Sequence, residues 1–258
     1  MDNVRALLKE DHYNIQKDAI NNHITLGLKD VIDDLFNSGK KVVLTTGKDG
    51  VGKTTVAAAI AVGLAERGKK VHFATTDPAV QLDLLINKTN GITMSHIAYL
   101  EEDLRSSDTR EIAIFRALEE IVEKVEAQVV VIDTAPTEHT LLLIESTQGY
   151  DELRKYSQCD NQDSAKKILQ TMRNTDETEV IIVTLEDATS VYEAMRLEDD
   201  LRRTEINTKW WVINPLHYNF GTTNDYLSVE ASDEISSINK VDGPTSGNYA
   251  IIGWSCKK

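Results

Sequence analysis

One stretch constrains this chain more than any other: Thr46-Gly47-Lys48-Asp49-Gly50-Val51-Gly52-Lys53-Thr54-Thr55, which satisfies G-x-x-x-x-G-K-[ST]. The residues before it (41–46) read as a short apolar strand rich in Val and Leu. Those after it (54–66) read as an Ala-rich helix that stops at Gly68. Strand, glycine loop and helix in that order are the context in which the pattern means a phosphate-binding loop. Glycines at 47, 50 and 52 let the main chain aim its N–H groups at a polyphosphate, and the helix N-terminus adds partial positive charge. Lys53 is placed to reach the β and γ phosphates and the Thr54 hydroxyl to ligate Mg²⁺, so the loop calls for a nucleotide with its metal.

The rest of the chain alternates strand and helix. From Leu28, the apolar positions Val31, Ile32, Leu35 and Phe36 fall at helical spacing with Gly39 as a stop, a helix expected to pack beside the first strand. Residues 70–76 read as a second strand. Asp77 follows it, either aimed at the crevice above the strand ends or capping the next helix. Residues 87–110 read as polar and irregular, and Asp108-Thr109-Arg110-Glu111 as a capping box that opens a helix. The continuous apolar run 128–132 is the pattern of a strand covered on both faces, and it delivers Asp133, which can hold Mg²⁺ through water. Residues 151–178 are polar, with a helix around 165–172; further strands are expected at 179–184, 210–213 and 249–254, and an amphipathic helix at 188–203. Asn214, before Pro215, stands where a turn can begin. This alternation predicts a doubly wound, mostly parallel sheet with helices on both faces. Residues 1–24 read as a polar arm or linker, and 25–256 as a single module.

Composition narrows the partners. In 258 residues the formal net charge is −14, which disfavours nucleic acid because phosphate neutralisation needs a basic face. The two cysteines, Cys159 and Cys256, are far apart and lack C-x-x-C spacing, so neither a disulfide framework nor a zinc site is expected and a reducing cytoplasm is the default. No stretch has the apolar length of a membrane span, and the N-terminus lacks a signal-peptide pattern, so a membrane role is expected to come through a partner.

Three motifs carry a resemblance. Lys48, directly after the first glycine of the loop, resembles the extra lysine of the deviant phosphate-loop ATPases, where it reaches the phosphates bound by the facing subunit or half. Thr76-Asp77-Pro78-Ala79 resembles the first switch of the arsenite-pump and tail-anchor-targeting ATPases. Asp133-Thr134-Ala135-Pro136-Thr137-Glu138-His139-Thr140-Leu141 closely resembles their second switch. Over roughly residues 25–256 the chain is most similar to the C-terminal half of the arsenite-efflux pump ATPase, with a helical subdomain shortened around 87–127.

The resemblance implies Mg²⁺-dependent ATP hydrolysis. In it, Lys53 and the loop N–H groups hold phosphate, Thr54, Asp77 and Asp133 serve the metal, Asp77 positions water, Asn214 meets adenine, and Lys48 completes a facing site. It also implies a homodimer or a second ATPase half, and a membrane permease for arsenite or antimonite as partner. A targeting factor for tail-anchored proteins, a partition-type ATPase, and a truncated module that binds nucleotide with little turnover are the alternatives. The sequence departs from the family where Asp108 stands for a metalloid-ligating cysteine, and where Asp49 and Glu138 stand for glycines. Those two side chains either strain the backbone and oppose phosphate, or point to solvent. For His139 the resemblance implies the switch role, with metal ligation as the alternative.

Overall fold

A computed structural model describes residues 26–75, 90–96, 127–133, 167, 170–206, 208–216, 241 and 248–253. In chain order these form α1 (Leu28–Asn37), β1 (Val42–Thr46), α2 (Lys53–Glu66), β2 (Val71–Thr75), β3 (Ile92–His96), β4 (Val129–Asp133), β5 (Thr178–Thr184), α3 (Ala188–Arg203), β6 (Thr208–Leu216) and β7 (Tyr249–Gly253). The strands make one seven-stranded sheet in the order β3-β2-β4-β1-β5-β6-β7. Every pairing is parallel. From β1 the chain crosses through α2 toward β2, and from β5 it crosses through α3 the other way, toward β6. Right-handed crossovers in opposite directions place those helices on opposite faces, so the doubly wound reading holds.

On one face α1 and α2 bury Val43, Val71, Phe73, Val129, Val131, Ile181, Val183, Trp210, Val212, Ala250 and Ile252, the alternate residues of the strands. Full burial of a side chain such as Phe73 or Ile60 contributes about 2 kcal/mol. α2 is buried along the whole of Val56–Leu64, which explains its alanines. Small side chains let α1 lie close over it, and at Gly63 an added Cβ would come within 2.7 Å of Ile32 Cδ1. α1 packs on α2 and β7, in one core cluster with Val43 of β1. α3 packs on β5 and β6 through Val191, Ala194 and Leu201.

Charged groups tie α1 to the starting end of the sheet, away from the glycine loop. The Asp34 carboxylate accepts from Lys209 Nζ at 2.7 Å and from Trp210 Nε1 at 2.7 Å. Burial alone would raise its carboxyl, but those bonds and the Lys209 and Lys40 charges outweigh it and hold the group below its ordinary value. Glu179, 3% exposed, is instead pushed up by burial, against the Lys209 N–H it accepts at 2.9 Å and the Lys40 ammonium at 3.6 Å.

Two strands differ from the sequence reading. β3 lies within the interval 87–110 that reads as irregular. It is an edge strand whose Thr93 is exposed and Ile92 half-buried, so it lacks the apolar run that marks the central strands. β6 continues through Asn214 and Pro215 instead of ending there; the register with β7 shifts between Ile213 and Leu216, where a residue without an N–H is tolerated.

The helices α1, α2 and α3 end in the same device. Lys40 N donates to Leu35 O, Lys69 N to Leu64 O and Ile206 N to Leu201 O, each over a residue of positive φ: Gly39 at 70°, Gly68 at 90° and Glu205 at 61°. Glu205 thus occupies a left-handed position that favours glycine, and its exposed pair with Arg173 at 3.7 Å contributes little. Glu205→Gly is expected to raise stability by about 1 kcal/mol, read as a higher denaturant midpoint at unchanged m-value. A fall in the midpoint would show that the ion pair outweighs the backbone term.

Candidate functional site

The connections from β1 and β5 leave in opposite directions, which opens a crevice between these neighbouring strands at their carboxyl ends. The glycine loop fills that place. Gly47 has φ 147°, and an added Cβ would stand 2.1 Å from Val183 O of β5. Gly52 caps α2 at φ 89°, and its Cβ would stand 2.2 Å from Asn214 Nδ2. Gly50 has φ 84° with open space beside it. Positions 47 and 52 therefore require glycine twice over, by φ and by contact.

Lys53 opens α2 and is 9% exposed; its Nζ donates to Lys48 O at 2.8 Å and lies 3.5 Å from Asp49 Oδ1. Asp49 itself is 88% exposed. It does not adopt a positive φ, since Glu205 alone among the described non-glycine residues does, so the strain considered from sequence is absent there. Lys48 turns the other way, its Nζ 3.0 Å from Glu193 Oε2 on α3, with both side chains about half exposed. Asp187 caps the same helix by accepting Ser190 N–H at 2.9 Å. Burial would raise the Asp187 carboxyl, but bonds from Ser190 and Thr189 and the nearby Lys48 charge hold it below its ordinary value.

Asp133 ends β4 between Thr45 and Thr75 of the neighbouring strands and is 2% exposed. Its Oδ2 accepts the Thr54 hydroxyl at 2.6 Å and the Thr75 hydroxyl at 3.0 Å. Because Thr54 gives its proton to Asp133, its lone pairs remain for a hard cation, and the carboxylate behind it orients and polarises that ligand. Among the described residues no group of three or more His, Cys, Asp or Glu could cage a metal. That donor set fits Mg²⁺, which takes few protein oxygens and completes its shell from phosphate and water.

Asn214 reaches back to the loop, its Nδ2 donating to Val51 O at 3.0 Å. Loop, Lys53, Thr54, Asp133 and Asn214 thus converge at one end of the sheet. Asp77, the remainder of the second switch with Glu138 and His139, and Asp108, Cys159 and Cys256 lie outside the described residues. Sequence reasoning did not find Glu193 or the bracing bond of Asn214. Nothing local signals the first; the second joins residues that meet only once β6 lies two strands from β1.

A family model described as anion-transporting ATPase matches residues 40–105 and 85–162. An arsenical pump-driving ATPase of Acidiphilium multivorum is 34% identical over 263 residues, covering 88% of this chain and 43% of the relative. One from Escherichia coli is 34% identical over 261 residues, with 87% and 43% covered. An ATPase ASNA1 homolog of Babesia bovis is 27% identical over 233 residues, with 67% of this chain and 65% of the relative covered. The chain spans less than half the length of the two pump relatives. No helix among the described residues is long and apolar enough to cross a membrane. With the family model matching from the glycine loop past Asp133, and a third of the residues shared along most of its length, this chain belongs to the anion-transporting ATPase family.

Proposed function

We propose that the chain is an Mg²⁺-dependent ATP-hydrolysing module that acts with a second ATPase module, a homodimer partner or another half, to energise a membrane permease for arsenite or antimonite. The observation that carries the reading is the Thr54–Asp133 hydrogen bond of 2.6 Å directly beneath the glycine loop, because it joins a metal ligand to its orienting carboxylate. The relatives named as arsenical pump-driving ATPases support the choice of pump. In this reading residues 25–256 form one module whose shortened helical subdomain, within 87–127, follows β3, residues 1–24 are an arm, and the protein works in the cytoplasm, held at the membrane by its permease.

Loop N–H groups and the Lys53 ammonium hold the phosphates and stabilise the charge that moves onto the leaving oxygens. Thr54 and Asp133 would hold Mg²⁺, which when bound neutralises β and γ oxygens. Asp77 orients the attacking water, and Asn214, whose Oδ1 is not used in the Val51 bond, faces adenine. Water adds to the γ phosphorus as the bond to ADP breaks. Lys48 serves a facing module, and to reach across it must release Glu193.

The test is the hydrolysis rate per molecule against protein concentration, with Mg²⁺ or EDTA and with or without antimonite. The rate should rise with concentration, vanish in EDTA, increase with antimonite, and fall about tenfold in Lys48→Ala, the loss of about 1.4 kcal/mol of transition-state stabilisation. A rate independent of concentration and unchanged by Lys48→Ala would remove the second module. Indifference to antimonite would remove the pump, and no hydrolysis at any concentration would remove the enzyme.

A further inference from the structure

We infer that Asp49 is a charge filter on the phosphate loop, a specificity-determining residue that disfavours nucleotide not already complexed with Mg²⁺; this rests on the nucleotide reading above. Asp49 Oδ1 lies 3.5 Å from Lys53 Nζ, and the ammonium is pinned from its own loop by Lys48 O at 2.8 Å. With the Lys53 side chain 9% and the Asp49 side chain 88% exposed, the carboxylate sits on the solvent side of the cation. A phosphate that pairs with Lys53 must share it with Asp49. The other loop cation, Lys48, has its own carboxylate partner in Glu193 at 3.0 Å.

Repulsion between Asp49 and an arriving ligand grows with the ligand's negative charge. Free ATP carries two more negative charges than its Mg²⁺ complex, so it meets the larger penalty. The effect is one of charge and not of backbone, since Asp49 does not adopt a positive φ. It must also be sensitive to salt, because an exposed carboxylate is screened within a Debye length.

Calorimetric titration of the full chain with ATP, in Mg²⁺ and in EDTA, tests this for the wild type, Asp49→Asn and Asp49→Gly. Asp49→Asn is expected to lower the Kd of metal-free ATP about tenfold and that of the Mg²⁺ complex about threefold or less, with the difference from wild type narrowing as salt is raised. Equal Kd values for Asp49→Asn and wild type, equal gains with and without Mg²⁺, or a gain confined to Asp49→Gly would each overturn the inference while leaving nucleotide binding in place. Failure of all three proteins to bind ATP under either condition would overturn the inference together with the nucleotide reading beneath it.

Discussion

Gly47→Ala is expected to cost about 3–5 kcal/mol of stability and to weaken nucleotide binding more than a hundredfold, the sum of backbone strain and overpacking at one atom. Gly47 has φ 147°, and the new methyl would stand 2.1 Å from Val183 O. That carbonyl belongs to β5, which is paired with β1 on one side and β6 on the other, so it cannot retreat without opening the sheet. The same methyl would meet Val51 Cγ2 at 3.3 Å, so the loop cannot move inward either. Gly50→Ala is the control: φ is 84° but nothing lies within 4 Å, and only the left-handed cost of about 1–2 kcal/mol applies. Denaturant unfolding and nucleotide titration of both variants measure the contrast. If Gly47→Ala were as stable as Gly50→Ala and bound nucleotide as well, the close approach of loop to β5 would be wrong.

The legible parts of this chain are those whose signal is local. The strand before the glycine loop, the Ala-rich helix after it, the apolar run that ends at Asp133 and the helix over 188–203 all rest on propensity, periodicity and punctuation within a short window, and all are found. β3 escapes because an edge strand needs apolar residues on fewer sides, and Ile92-Thr93 alone cannot announce it. Asn214 escapes differently. Its place before Pro215 points to a turn and the family resemblance to a base edge, whereas its bond to Val51 O depends on a contact between distant segments. Lys48 and Glu193 form a half-exposed surface pair of the kind that carries little energy and so leaves no pattern in sequence.

Lys53→Met is expected to lower ATP turnover about a thousandfold while leaving the fold intact, because the lost ammonium acts on the phosphates, in binding and as charge moves, and not on the core packing. The methionine chain matches the lysine stem in length and fits a site only 9% exposed, so the stability change should be limited to the lost bond to Lys48 O, about 1 kcal/mol. What disappears is the cation held in advance at the mouth of the loop. Its position costs nothing at the moment of reaction because the Lys48 carbonyl already fixes it. Lys53→Arg should not rescue the rate: the charge is kept, but a planar guanidinium needs more room than a nearly buried ammonium leaves. Removing the cation also strands Asp49, whose carboxylate then faces incoming phosphate with no partner between them. Lys53→Met should therefore bind ATP more weakly than Lys53→Met combined with Asp49→Asn, a coupling that a double-mutant cycle reads directly. Turnover within threefold of wild type in Lys53→Met would mean that the phosphates are read by some other cation and that the convergence of loop, Thr54 and Asp133 is not where the chemistry occurs.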